Sequence, residues 1–158
     1  MNDQRQSAFD RLSADLGHDF SGEIKVGGNY RPFVRDGSSV FISGQVPRVG
    51  DRVVVTGRAG STASLDDARL AAKICAMRAL ALLRQAAGGL ERVRQVLRLG
   101  VFIQCAEDFT LHSEVADAAS EVLYAVLGEA GVHARTSVGV YQLPKNATVE
   151  LELLAAVD

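Results

Sequence analysis

The sequence predicts an α+β fold, a mixed sheet with two helices packed on one of its faces. Three observations carry that prediction. Short β-forming runs broken by Gly and Pro occupy the first third after residue 26. An Ala-rich run with a capping signal before it and a glycine pair behind it follows. From there helical and strand periods alternate to the end. With 158 residues, 47% of them hydrophobic, the chain is long enough for one core and too short for two comfortable domains. We expect residues 21–158 to form that single domain, preceded by a helical extension over residues 1–20.

Taken in order, Phe9, Leu12 and Leu16 recur at helical spacing within Ser7 to Leu16 and predict a short helix docking by one face. Phe33-Val-Arg, Val40-Phe-Ile-Ser and Arg52-Val-Val-Val-Thr lie between Gly27 and Gly60 and read as an antiparallel meander. Ser64 stands before Leu65 with Asp67 three residues on, a capping-box pattern, and Gly88-Gly89 stops the Ala-rich run that ends at Ala87. Along that long helix Leu65, Ala68, Ala72, Cys75, Ala79 and Leu82 make a stripe of small side chains suited to close packing on a sheet.

Leu90-Glu-Arg-Val reads as a turn of helix leading into a strand over Val96 to Cys105. Val115, Ala119, Val122, Leu123 and Val126 share one helical face within Ser113 to Leu127, with Gly128 and Gly131 ending the helix. The stretch from His133 to Asp158 reads as a pair of strands around Leu143-Pro144. In the second, Val149, Leu151, Leu153, Ala155 and Val157 alternate with Glu150, Glu152 and Leu154, so both faces of the sheet need cover, which identical subunits would supply.

Charge narrows the functional classes. A net charge of -2 and a pI of about 5.9 leave no field of positive charge for a polyphosphate backbone, which argues against nucleic acid. Cys75 and Cys105 lack close spacing or a partner His motif, so they are expected as buried free thiols in a reducing compartment rather than metal ligands. The opening Met1-Asn-Asp-Gln-Arg-Gln has no apolar signal core, and no run approaches the roughly 18 apolar residues of a membrane span. A cytoplasmic protein with no membrane partner is the expectation.

Arg135 opens the first C-terminal strand with no neighbouring acid, while Glu150 and Glu152, two apart in the second, project from one face. If the two strands are adjacent, the Arg and a Glu make one site.

Those residues also carry a resemblance. Gly28-Asn29-Tyr30 is followed by Ser43-Gly44-Gln45-Val46-Pro47, then by Arg135, Leu143-Pro144-Lys145 and Val149-Glu150-Leu151-Glu152. Over roughly residues 26 to 157 the chain resembles the Rid family of reactive-intermediate deaminases, the YjgF type. The resemblance implies a chorismate-mutase-like homotrimer with clefts between subunits. There an enamine or imine of a 2-amino acid, 2-aminoacrylate and its homologues, is hydrolysed to a 2-keto acid and ammonia without metal or cofactor. Carried over residue by residue, Arg135 would hold the substrate carboxylate and Glu150 would position or activate the attacking water. Tyr30, Ser43 and Gly44 would line the cleft. Many members have Cys where this chain has Ser137 and Glu where it has Gly139, and the segment from Phe109 to Arg135 is longer here.

The chemistry of those side chains fits such roles. A planar guanidinium gives a carboxylate two parallel donors, fixing orientation as well as position. Water attacking an iminium carbon must lose a proton while nitrogen leaves as ammonia, a transfer one carboxylate within reach can serve. Plainer readings stand beside these. Arg135 could pair with Glu150 or Glu152 to hold the assembly; Glu150 could be a solvated carboxylate; Ser43 could turn the chain before Gly44, and Tyr30 could be an aromatic anchor. His18, His112 and His133 read as surface or structural, and Cys105 as core rather than nucleophile. Gly57-Arg-Ala-Gly60 lacks the ending of a phosphate loop and reads as a hairpin connection. The alternative to a deaminase is a non-catalytic trimeric module of the same fold that binds a small carboxylate. The ribonuclease role attached to the family by name fits poorly with the acidic pI.

Overall fold

The structure, a computed structural model, describes residues 3–158. Its organising element is α2 (Leu65–Ala87), whose ends are set by its own sequence. Ser64 Oγ accepts the Asp67 N–H at 3.0 Å and the Asp67 carboxylate accepts the Ser64 N–H at 2.9 Å, closing the capping box. Gly88 then takes φ +83°, a left-handed conformation that glycine adopts without a Cβ penalty, and its N–H reaches the Arg84 carbonyl. The predicted stripe is buried apart from Leu65, which is partly exposed, yet the stripe underestimates the helix. Ala71, Ile74, Ala76, Met77, Leu80, Ala81 and Leu83 are buried as well, because the helix is enclosed on several sides.

The enclosing elements are the sheet, α3 (His112–Leu127) and α1 (Asp3–Leu16). The N-terminal helix begins at Asp3 rather than Ser7 and packs on α3 and α2, with Phe9 buried and the Arg84 guanidinium 4.7 Å above its ring. It belongs to the core rather than hanging from it.

The main sheet has five strands: β1 (Phe33–Asp36), β2 (Ser39–Gln45), β5 (Val93–Gln104), β6 (Ala134–Val140) and β7 (Val149–Val157). They lie in the order β1, β2, β7, β5, β6, with only β5 and β6 parallel. The predicted meander is corrected here. Its third run supplies only β4 (Arg52–Val53), which pairs with β3 (Arg48–Val49) in a separate two-stranded ribbon. The place beside β2 goes to β7, whose five inward side chains are all at most 3% exposed, a burial the polar-flanked Arg52 run could not match.

A second correction concerns the C-terminal strand pair. Both strands form around Leu143-Pro144, but they are not neighbours: β5 lies between β6 and β7. A parallel pairing of β6 on β5 followed by a crossing to the far side of β5 leaves no local sequence trace. The helices α2 and α3 cover the face bearing Leu99, Val101, Ile103, Leu151 and Leu153, all buried. Within the chain the other face stays open, with Val34, Phe41 and Val138 exposed.

Candidate active site

Arg135 lies in β6 opposite Leu99, and Leu99 pairs on its other side with Leu153, so the guanidinium emerges on the helix-covered face at the sheet edge. There Nη1 donates to Asp117 Oδ1 at 2.8 Å and to Ser120 Oγ at 3.0 Å, both from α3. Arg135 therefore has an acidic partner after all, one turn of α3 from Ser120 and 18 positions upstream, where no reading of neighbouring residues would find it. A pair this accessible is worth at most about 1 kcal/mol, so its main effect is to aim the side chain.

The Ser120 hydroxyl is itself aimed. His133 Nδ1 sits 2.6 Å from the Gly131 carbonyl, which can only accept, so Nδ1 carries the proton. In the neutral ring Nε2 is then an acceptor for the Ser120 hydroxyl at 2.9 Å, which turns the oxygen lone pairs towards Arg135. Tyr124 stacks on the imidazole with ring centroids 5.5 Å apart. His133 is structural, as expected, but its structure serves Arg135. Both bonds of the arginine use Nη1. Among the described residues Nε and Nη2 have no partner, leaving one edge of the guanidinium fork unspent.

Glu150 pairs with Phe102 and Glu152 with Gly100, so both carboxylates stand on the open face, as their spacing predicts. Burial pushes the Glu150 carboxyl above the ordinary range and the Glu152 charge beside it pushes further in the same direction. It accepts no hydrogen bond among the described residues. Gly44, at an irregularity in the β2 to β7 pairing, lies under this carboxylate so closely that a Cβ there would collide with Glu150 Oε1. Ser43 Oγ donates to the Arg31 carbonyl at 2.7 Å, which matches its turn-holding reading and leaves its lone pairs open. Tyr30 is about half exposed, its ring against Gly28.

Ser43, Gly44 and Glu150 thus come together, whereas Arg135 does not join them. The adjacent-strand site is corrected: Arg135 and Glu150 are separated by β5 and point to opposite faces of the sheet. One chain holds a cationic half-site and a carboxylate half-site.

Several polar residues escaped the sequence reading. Arg78 is buried in α2, donating from Nε to Gln45 Oε1 at 3.2 Å and from Nη1 to the Arg48 carbonyl at 2.8 Å, which ties down the strand end next to Gly44. An arginine inside an Ala and Leu run was the available signal. Cys105 is corrected too. It lies one residue past β5 and is partly exposed, not core, with His112 Nε2 3.7 Å from Sγ and Arg58 Nη1 donating to its carbonyl at 3.3 Å. Among the described residues no three His, Cys, Asp or Glu side chains could share a metal ion, and no helix is long and apolar enough to cross a membrane.

Comparison with known proteins places the chain among relatives. A family model described as "YjgF/chorismate mutase-like, putative endoribonuclease" matches residues 11–157. Protein TCP17 of Trypanosoma cruzi is 37% identical over 131 residues, 82% of each chain. A protein of unknown function from Agrobacterium tumefaciens superposes with a TM-score of 0.86 at 32% identity, covering 99% of this chain and 97% of that one. One from Shewanella oneidensis, named an endoribonuclease with the same qualifier as the family, also gives 0.86, at 27% identity over 94% of this chain and 99% of its own.

Proposed function

The chain belongs to the YjgF/chorismate mutase-like family, and from that premise we propose that it hydrolyses reactive imines and enamines of 2-amino acids to 2-keto acids and ammonia. The site is a cleft between subunits of a homotrimer, in which the Arg135 fork of one subunit faces Glu150 of the next. The observation that carries this reading is the split itself. A free guanidinium edge and a carboxyl held above the ordinary range, neither with a further partner among the described residues, lie on opposite faces of one sheet, so only a second copy can bring them together. Val34, Phe41 and Val138, exposed on the same face of the sheet as Glu150, give such a copy an apolar surface to bury.

In that cleft Nε and Nη2 of Arg135 take the substrate carboxylate and set the imine carbon against a water held by Glu150. The carboxylate accepts one proton of the water as the C–O bond forms and the C=N π pair moves to nitrogen, and it returns that proton to nitrogen to give a carbinolamine. It then carries the hydroxyl proton to nitrogen in the same way as C=O forms and the C–N bond breaks, releasing ammonia and the 2-keto acid. Tyr30, Ser43 and Gly44 form the wall. No metal or cofactor takes part, and free thiols at Cys75 and Cys105 suit a cytoplasmic setting. The net charge of -2 supports a small-molecule substrate over RNA.

The test is to generate 2-imino acids with an amino-acid oxidase and follow their loss. The protein should accelerate hydrolysis, and Arg135→Ala should lower kcat/KM on the order of 100-fold while sedimentation still reports a trimer. Equal acceleration by the variant would overturn the assignment. A second reading, a non-catalytic carboxylate-binding trimer, has its own support in the free Arg135 fork, which needs no Glu150 to bind a keto acid. Calorimetric keto-acid binding without acceleration of any imine would favour it.

A further inference from the structure

At the far end of β6, four residues along from Arg135 (139 minus 135) and so roughly 13 Å away, a cavity of about 690 Å³ is lined by Arg58, Cys105, Phe109, His112, Gly139 and Tyr141. Its chemistry is concentrated. Arg58 forms no ion pair among the described residues; its guanidinium donates only to the Cys105 carbonyl and stands 5.2 Å from the centroid of the exposed Tyr141 ring. The one acid on the cavity wall, Glu107, is solvent-exposed. A cation with open donors therefore faces the space unneutralised.

Beside it stands a thiol with a base. Cys105 Sγ lies 3.7 Å from His112 Nε2, and the edge of Phe109 meets the imidazole at 5.3 Å between centroids, fixing the ring. The pair exists because residue 139 has no side chain: a Cβ there would sit 2.7 Å from His112 Nε2 and 2.9 Å from Cys105 Sγ. Gly139 thus keeps both reactive atoms open to the cavity. The other thiol, Cys75, is fully buried and makes a natural internal control.

We propose that this cavity is a second small-molecule site, taking a short carboxylate with an electrophilic carbon and capturing it reversibly on Cys105. Arg58 holds the carboxylate and orients the carbon towards Sγ. On addition to a C=N or C=O group the S–C bond forms, the π pair moves to the heteroatom, and the thiol proton passes through His112 Nε2 to that atom. No oxidant or further reactant is needed. Burial pushes the Cys105 thiol above its ordinary value and Arg58 pulls the other way, so the proton's route to the heteroatom runs through His112, 3.7 Å from Sγ.

Alkylation reads this site without turnover, so its outcome is independent of imine hydrolysis. Iodoacetate carries the carboxylate and iodoacetamide does not; in both, the S–C bond forms as iodide leaves. Peptide mass spectrometry of the full chain should find Cys105 modified and Cys75 untouched. The iodoacetate-to-iodoacetamide rate ratio at Cys105 should exceed that of free glutathione by about tenfold, the lower end of electrostatic steering. Arg58→Met should abolish that preference while leaving the iodoacetamide rate within about twofold, and Arg58→Lys should keep part of it. His112→Gln should slow both reagents. A wild-type ratio no higher than that of glutathione would overturn the proposal whatever the variants do. So would an Arg58→Met effect equal for the two reagents, which would mark a packing role through the Cys105 carbonyl.

Discussion

The two faces of the main sheet are built from the same strands and do opposite things. On the helix face, Leu99, Val101, Ile103, Val149, Leu151 and Leu153 are at most 3% exposed under α2 and α3. On the open face, Val34 of β1 is 54%, Phe41 of β2 50% and Val138 of β6 41% exposed, and Glu150 and Glu152 stand there one position away from Val149, Leu151 and Leu153 along β7. A period of two makes this possible, since stability and chemistry can be written into alternate letters of one strand. Apart from Arg135, which leaves the helix face at the sheet edge, changes on that face should cost folding, and changes on the open face should cost assembly or activity.

The sharpest break of that comparison sets Leu151→Ala against Phe41→Ser. Leu151 is completely buried beneath α2, so its truncation should cost about 2 to 5 kcal/mol in urea unfolding, transfer and cavity terms together. Phe41, half exposed, should cost the single chain less than about 1 kcal/mol. Its effect should appear in the mass measured by sedimentation, where a smaller species is expected. A large stability loss for Phe41→Ser without any change of mass would show that the open face is not an assembly surface.

Next in size is Gly44→Ala, which acts on the open face through a single atom. The new Cβ would collide with Glu150 Oε1, so the carboxylate must swing away from its place over β2. A displacement on the order of 1 Å costs about 100-fold in rate where a proton must be passed, so imine turnover should fall by that much while the melting temperature barely moves. Unchanged turnover would remove Glu150 from the reaction.

What the sequence made legible divides along the same line. The helix face was readable because its signals are local: the Ser64 and Asp67 capping box, the Gly88 stop and the strict alternation of β7 each lie within a few residues. The pairing of strands was not. Nothing in residues 133 to 158 states that β5 inserts between β6 and β7, so Arg135 and Glu150 read as neighbours when they face apart. The support of Arg135 by Asp117 and Ser120, and the meeting of Arg58 with Cys105 across 47 positions, likewise depend on tertiary packing that periodicity does not encode. Residue types at the site were legible; their partners were not.

The smallest expected effect tests the open face through charge. Glu150 is raised above the ordinary glutamate value of 4.5, first by burial and then by Glu152, so Glu152→Gln should lower it by removing the second cause alone. Because the base form must be ionised to accept the water's proton, the acidic limb of the kcat/KM profile should sit above 4.5 in the wild type and move to lower pH in the variant. Stability supplies an independent sign. A carboxyl raised on folding binds its proton more tightly in the folded chain, so wild-type stability falls as pH rises from about 4.5 through the folded value and is flat beyond it. Glu152→Gln should shrink that fall, leaving the variant's advantage largest at neutral pH and absent well below 4.5. A rate profile and unfolding curves taken across the same pH range read the direction of both changes. A limb that stays put, or moves upward, would mean that Glu152 does not act on Glu150 in the assembled cleft, and that the open face is solvated there rather than closed by a second subunit.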